Sequence, residues 1–167
     1  SSTLKSFVRP NDFSIQYPSS MEMELGKELS ATLPNASVLK ISVSKDAFNR
    51  DDKNNFQEAF LVFSATTSAK INKDNFMMFA DIPGAKPSAA AVQFNGYNFG
   101  FTTTSDAGAG NFYRTEIYRT VQNGKYYQAE LTVHTTNAQN YTPARQEFAG
   151  DAYAPLRDVL RSVNFLR

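Results

Sequence analysis

At 167 residues, with 17 Lys plus Arg against 16 Asp plus Glu, the chain has the size of one domain and no basic excess to attract a polyanion. No two Lys or Arg are adjacent, so nucleic acid is not an expected partner. The absence of Cys excludes disulfides, thiolate catalysis and Cys-ligated zinc or iron–sulfur sites, and the apolar run Ala59–Phe63 falls far short of the ~20 residues a membrane helix needs.

The chain starts Ser1-Ser2-Thr3 without Met, which suggests that a leader or tag has been removed. Phe13–Tyr17 alternates apolar and polar residues up to Pro18 and reads as the first strand. Met21, Met23 and Leu25 alternate with Glu22 and Glu24, which fits either an extended piece or a helix of good formers. Val38–Val43 is a strand, Asp46–Asn55 a polar loop, and Phe60–Thr66 a further strand. Ile71–Phe79 fits a short helix capped by Asn72 or Asp74, and Asp81–Ser88, with Pro83-Gly84 and Pro87, is irregular. Ala91–Phe94 and Tyr97–Thr104 form strands around Asn95-Gly96, and Ser105–Gly110 reads as a flexible connection. Asn137–Gly150 is a polar loop. Asp151 then caps a helix with Leu156, Val159, Leu160 and Val163 on one face, and Ser162–Leu166 closes as a strand.

The strongest local signal is the hairpin Asn111–Thr136, two runs of strand residues around Asn123-Gly124. A two-residue loop sets Leu131 opposite Glu116 and Val133 opposite Arg114, mixing polarity on both faces. A loop one residue longer, with Gly124 as a bulge, aligns Ile117 with Ala129 and Tyr113 with Val133. One residue of slip turns every side chain over, so burial is expected to select the longer loop. Tyr113, Ile117, Val121, Tyr127, Leu131 and Val133 then form a buried face. The opposite face carries Glu116 and the candidate partner-binding set Arg114, Tyr118, Tyr126, Gln128, Glu130 and His134, since Tyr and Arg contribute large contact area with polar tips. If a helix or loop covers that face, it is core periphery instead.

Catalytic and metal signals are weak. His134 is the only His, and Glu130, four residues along a strand rising ~3.3 Å per residue, is not adjacent to orient it. Asp51-Asp52-Lys53-Asn54-Asn55 and Glu58 offer oxygen ligands without the glycine and final glutamate positions of a calcium loop. Gly108-Ala109-Gly110 precedes a strand, not the helix a dinucleotide fingerprint opens. Ser42-Val43-Ser44-Lys45 and Ser2-Thr3-Leu4-Lys5 have no companion motif. Asn35-Ala36-Ser37 and Asn140-Tyr141-Thr142 fit the glycosylation pattern, which matters only in a eukaryotic secretory protein. No catalytic residue, metal or cofactor is assigned.

Three short stretches resemble the PsbP-like family, named for an extrinsic subunit of photosystem II and sharing its fold with a Ran-binding nuclear import factor and with bacterial exported domains. They are Phe13-Ser14-Ile15-Gln16-Tyr17-Pro18, the glycine-containing lead into the long tyrosine-rich hairpin, and Leu160-Arg161-Ser162-Val163-Asn164-Phe165. The resemblance implies an α+β domain over 1–167, with a central antiparallel sheet of about six strands and helices on its faces, an α/β/α sandwich. It also implies a mostly non-enzymatic binder, although no family functional residue transfers to this chain. The expected function is therefore binding of a protein or cell-envelope partner by an exported, periplasmic or lipid-anchored bacterial domain. The competing expectation is a small-ligand binder or hydrolase with a pocket lined by Tyr, Arg, Glu and His.

Overall fold

The structure is a computed structural model and describes residues 3–26, 30, 32–33 and 35–167; Ser1 and Ser2 lie outside the described residues. Ten strands form two antiparallel sheets. The smaller has the order β1-β2-β10, from β1 (Leu4–Arg9), β2 (Phe13–Pro18) and β10 (Asn164–Phe165). The larger has the order β3-β4-β5-β9-β8-β7-β6. It contains β3 (Glu22–Leu25), β4 (Ser37–Ser42), β5 (Phe56–Thr66) and β6 (Val92–Phe94). Its three longest strands are β7 (Tyr97–Gly108), β8 (Asn111–Gln122) and β9 (Lys125–Thr136).

An antiparallel α+β architecture is therefore present, but with seven strands in the main sheet where about six were expected. Helices contribute little to the layers. Only α1 (Lys73–Met77), capped by the Asn72 side chain, and α2 (Tyr153–Leu160) are α-helical among the described residues. In place of an α/β/α sandwich, the small sheet and α2 share one face of the large sheet. β1 escaped the sequence reading because five of its six residues are exposed, which leaves little apolar alternation to detect. The ambiguous Glu22–Leu25 piece is a strand.

The first face of the large sheet builds the main core. Leu39 and Ile41 from β4, Leu61 and Phe63 from β5, and Tyr127 and Leu131 from β9 meet Phe13 and Ile15 of β2. Leu156, Val159 and Leu160 of α2 join them, and Asp151 Oδ1 accepts from the Tyr153 and Ala154 amides at the helix start. The second face is covered by the irregular segment after α1, where Phe79 and Ile82 pack on Ile117.

The hairpin register differs from the expectation. Gln122 pairs with Lys125, Glu116 with Leu131 and Arg114 with Val133, so the loop has two residues and no bulge. Asn123 and Gly124 have φ of 51° and 75°, the doubly left-handed turn whose twist matches a β-ribbon. Burial could not select the longer loop because both faces of the hairpin are covered. Polar residues are tolerated on either face provided that they are paired. Glu116, on the core face, accepts from Arg157 Nε at 2.9 Å and from Tyr118 Oη at 2.9 Å. The connection expected over Ser105–Gly110 is also ordered differently, since β7 continues to Gly108 and closes through Ala109-Gly110.

Candidate functional site

The correct register divides the six expected contact residues between two faces. Arg114 and Tyr118 share the core face with Leu131 and Val133, whereas Tyr126, Gln128, Glu130 and His134 lie on the other. Five of them, His134 included, are occupied by internal contacts. Tyr118 is buried, donates to Glu116, and has its phenol held well above the ordinary range by burial and then by the Glu116 charge. Tyr126 donates to the Ile71 carbonyl and sets its ring edge-on to Phe76 at 5.1 Å. Gln128 and Glu130 are buried in a polar network that also holds Ser30, Thr32 and Arg119.

Arg119 organises this second face. It is fully buried, donates twice to the Asp81 carboxylate at 2.6 and 2.8 Å, and lies over the rings of Phe76 and Phe79 at 4.5 and 4.9 Å. The Arg119 guanidinium holds the Asp81 carboxyl below the usual carboxylate range, against a smaller opposing effect of burial. The chain thus closes one face of its sheet with paired charge as well as with apolar area.

Arg114 alone of the six stands exposed, and it lies in a cleft about 630 Å³ in volume. The floor is the end of the core face beyond α2, with Phe112 and Arg114 from β8 and Val133 from β9. One wall is Glu147, Phe148 and Tyr153; the opposite rim is Ser105, Asp106 and Ala107 of β7. Phe112, 44% exposed, lies on that floor beside Arg114.

The walls are held by specific bonds. Asn55 donates to Glu147 Oε2 at 2.7 Å, and its own oxygen accepts from the Phe148 amide at 2.6 Å. Tyr153 Oη donates to the Arg114 carbonyl at 2.9 Å, and its phenol is pushed up to about 12 by burial first and the Glu116 charge second. The Arg114 guanidinium makes no ion pair or hydrogen bond among the described residues.

His134 supports the cleft from behind. Its ring stacks on Tyr113 with centroids 4.2 Å apart, and Nε2 lies 2.8 Å from Asn111 Oδ1. The Asn111 amide nitrogen faces the Gly108 and Ala109 carbonyls, which leaves its oxygen to accept from Nε2. Nδ1 lies 3.5 Å from Glu58, its cross-strand neighbour on β5. The carboxylate beside this histidine thus sits across the ladder and not along its own strand.

Sequence reasoning also missed Phe112, Asp106, Glu147 and Tyr153. The available signal was the alternation Phe112, Arg114, Glu116, Tyr118, which puts an aromatic and a cation on one side of a strand. No described group of three His, Cys, Asp or Glu is arranged to hold a metal ion. No described helix is long and apolar enough to cross a membrane.

No protein-family model matches the chain, and neither does any curated protein. Among solved structures, the fold is similar to a protein from Bacteroides thetaiotaomicron VPI-5482, with a TM-score of 0.61 and 14% identity. That match covers 98% of this chain and 48% of the other, so this chain spans about half the length of its relative. LpqN, involved in cell envelope biogenesis of Mycobacterium tuberculosis, matches with a TM-score of 0.49 and 12% identity over 98% of this chain and 92% of its own. Neither match names the PsbP-like family.

Proposed function

We propose that the chain is a binding domain that recognises a protein or cell-envelope component through the cleft at the open end of its large sheet. The observation that carries this reading is the unpaired Arg114 beside the exposed Phe112 in a concave site of about 630 Å³, a size typical of ligand pockets. Arginine beside an aromatic ring is the pairing that dominates recognition surfaces, because both give area, planarity and a polar or charged tip. Placement outside the cytoplasm rests on the resemblance of the sequence to the exported branch of the PsbP-like family.

The alternative, a catalytic pocket gathering Tyr, Arg, Glu and His, has less support from the geometry. Glu130 faces Ser30 and Thr32 on the second face, and His134 is turned toward Asn111 and Glu58. No hydrogen bond joins a hydroxyl of the cleft lining to an imidazole among the described residues.

The test is retention of bacterial envelope fractions, purified peptidoglycan and extracted envelope proteins separately, on the immobilised chain. Arg114→Glu and Phe112→Ala should each abolish retention while leaving the circular dichroism spectrum unchanged, and Lys70→Ala, away from the cleft, should retain like the native chain. Equal retention by all four proteins would remove the cleft as the recognition site.

A further inference from the structure

The rim of the cleft is also a free sheet edge. β6 covers β7 only over Tyr97–Phe99, and the Ser88 amide adds one bond to the Phe101 carbonyl. The backbone groups of Phe101 therefore point away from β8. Because backbone groups alternate sides along a strand, those of Thr103, Ser105 and Ala107 point outward too. The ladder to β8 is unbroken from Gly100 to Gly108, so no bulge twists this edge out of reach. Only Ala107 has its amide occupied, by the Asp106 side chain at 2.9 Å.

Such edges invite strand addition, and proteins usually guard them with charges, proline or bulges. Two of the other edges follow that practice, with Lys5 and Arg9 on β1 and Glu22 and Glu24 on β3, whereas β6 and β10 are uncharged but only three and two residues long. The Thr103–Ala107 edge, ~17 Å long at ~3.4 Å per residue, carries Asp106 alone.

We infer that the ligand of this cleft is an extended polypeptide segment that adds to β7 as a further strand, placing alternate side chains over the cleft floor. The inference rests on the cleft being the recognition site. Ser105 pairs with Arg114, and Ala107 with Phe112. Both are small, so a long side chain on an added strand, ~4.8 Å beyond β7, reaches across them. The unpaired guanidinium selects a carboxylate opposite Ser105. The exposed ring selects an apolar side chain two residues away, opposite Ala107. Main-chain bonds supply affinity and these two positions supply specificity.

The test selects a displayed random nonapeptide library on the intact chain, then compares the selected peptide with a copy N-methylated at alternate amides. The expected outcome is enrichment of an acidic residue two positions from an aromatic or branched one, with slowed amide exchange at Thr103 and Ser105. N-methylation and Ser105→Pro, which removes an outward amide without touching the β8 ladder, should each weaken binding about tenfold or more. If Ser105→Pro fails to fold, the methylated peptide decides. Equal binding by the methylated peptide, or no enrichment, overturns strand addition. Ser105 protection that rises with protein concentration also overturns it, in favour of a second copy of the chain. Resonances of Phe112 and Arg114 are followed with peptidoglycan fragments in parallel. If these fragments shift them after strand addition has failed, the cleft survives as a binding site; if no probe shifts them, both readings fall.

Discussion

Asp81→Ala should destabilise the fold by about 2–3 kcal/mol. The Arg119 side chain is fully buried, and removal of Asp81 leaves its guanidinium only Gln128 Oε1 at 2.7 Å, the Phe76 carbonyl at 3.0 Å and two ring faces. Breaking one side of a buried ion pair costs about 3–5 kcal/mol because a charge remains without compensation. The Asp81 side chain is 46% exposed, so water can enter where the carboxylate was, which places the effect at or below the lower end. For a domain of this size that corresponds to a fall of roughly 4–12 °C in Tm. Urea denaturation with an unchanged m-value is the assay. In an Arg119→Met background, Asp81→Ala should cost less than about 0.5 kcal/mol, since the charge it compensates is gone. The same cost in both backgrounds, or a single-variant effect within about 0.5 kcal/mol of native, would refute the pairing as the source of the stability.

Arg157→Ala should cost about 2–4 kcal/mol because it leaves the buried Glu116 carboxylate with the Tyr118 hydroxyl alone, whereas Tyr118→Phe, which keeps the ion pair, should cost about 1 kcal/mol in the same denaturation assay. Tyr153 has a folded pKa raised from 10.0 to about 12, so its contribution is complete below 10 and lost as pH rises toward about 12; Tyr153→Phe should flatten the alkaline fall in stability, with tyrosinate absorbance reporting the titration. Asp52 and Asp81 are shifted the other way, by Lys45 and by Arg119, so their contributions hold above the ordinary carboxylate pKa and vanish as pH falls through the depressed values; the penalty of Asp81→Ala should shrink in acid. Gly124→Ala should cost about 1 kcal/mol from backbone strain alone, because φ is 75° and no atom lies within 4 Å of an added Cβ. Gly110→Ala should cost a similar amount, since φ is 77° and its Cβ would meet only the side-chain Nδ2 of the exposed Asn140, at 2.6 Å, which can swing aside.

The strands with apolar alternation were legible, as Phe13–Pro18 and Ser37–Ser42 show, because their inner residues are buried and their outer ones are not. The same rule misled at the central hairpin. It assumes one dry face and one wet face, and β8–β9 has two dry faces with charges built into both. Turn chemistry was the better guide to register: Asn123-Gly124 dictates a two-residue loop whatever the faces contain. The polar residues on the second face looked like a contact surface because sequence does not reveal that Asp81, 38 residues before Arg119, returns to neutralise it. Arg114 is the one expected contact residue that lies exposed in the cleft, while its neighbours Glu147 and Tyr153 arrive from loops and a helix start that no local pattern links to β8.

The cleft follows from a mismatch of lengths. β7, β8 and β9 each have 12 residues, ~40 Å at ~3.4 Å per residue, whereas the eight residues of α2 span only ~12 Å. The helix and the small sheet cover the central part of the core face and stop. Beyond them the strand ends must be either polar or covered by something else. Along β7 the chain uses Thr103, Ser105 and Ala107, which are short and uncharged; along β8 it uses Phe112 and Arg114, which are long and unpaired. If solubility alone shaped this end, a charged or proline-bearing edge would serve better. An edge with Asp106 as its one charge and two reaching side chains behind it is the arrangement on which the proposed strand addition rests.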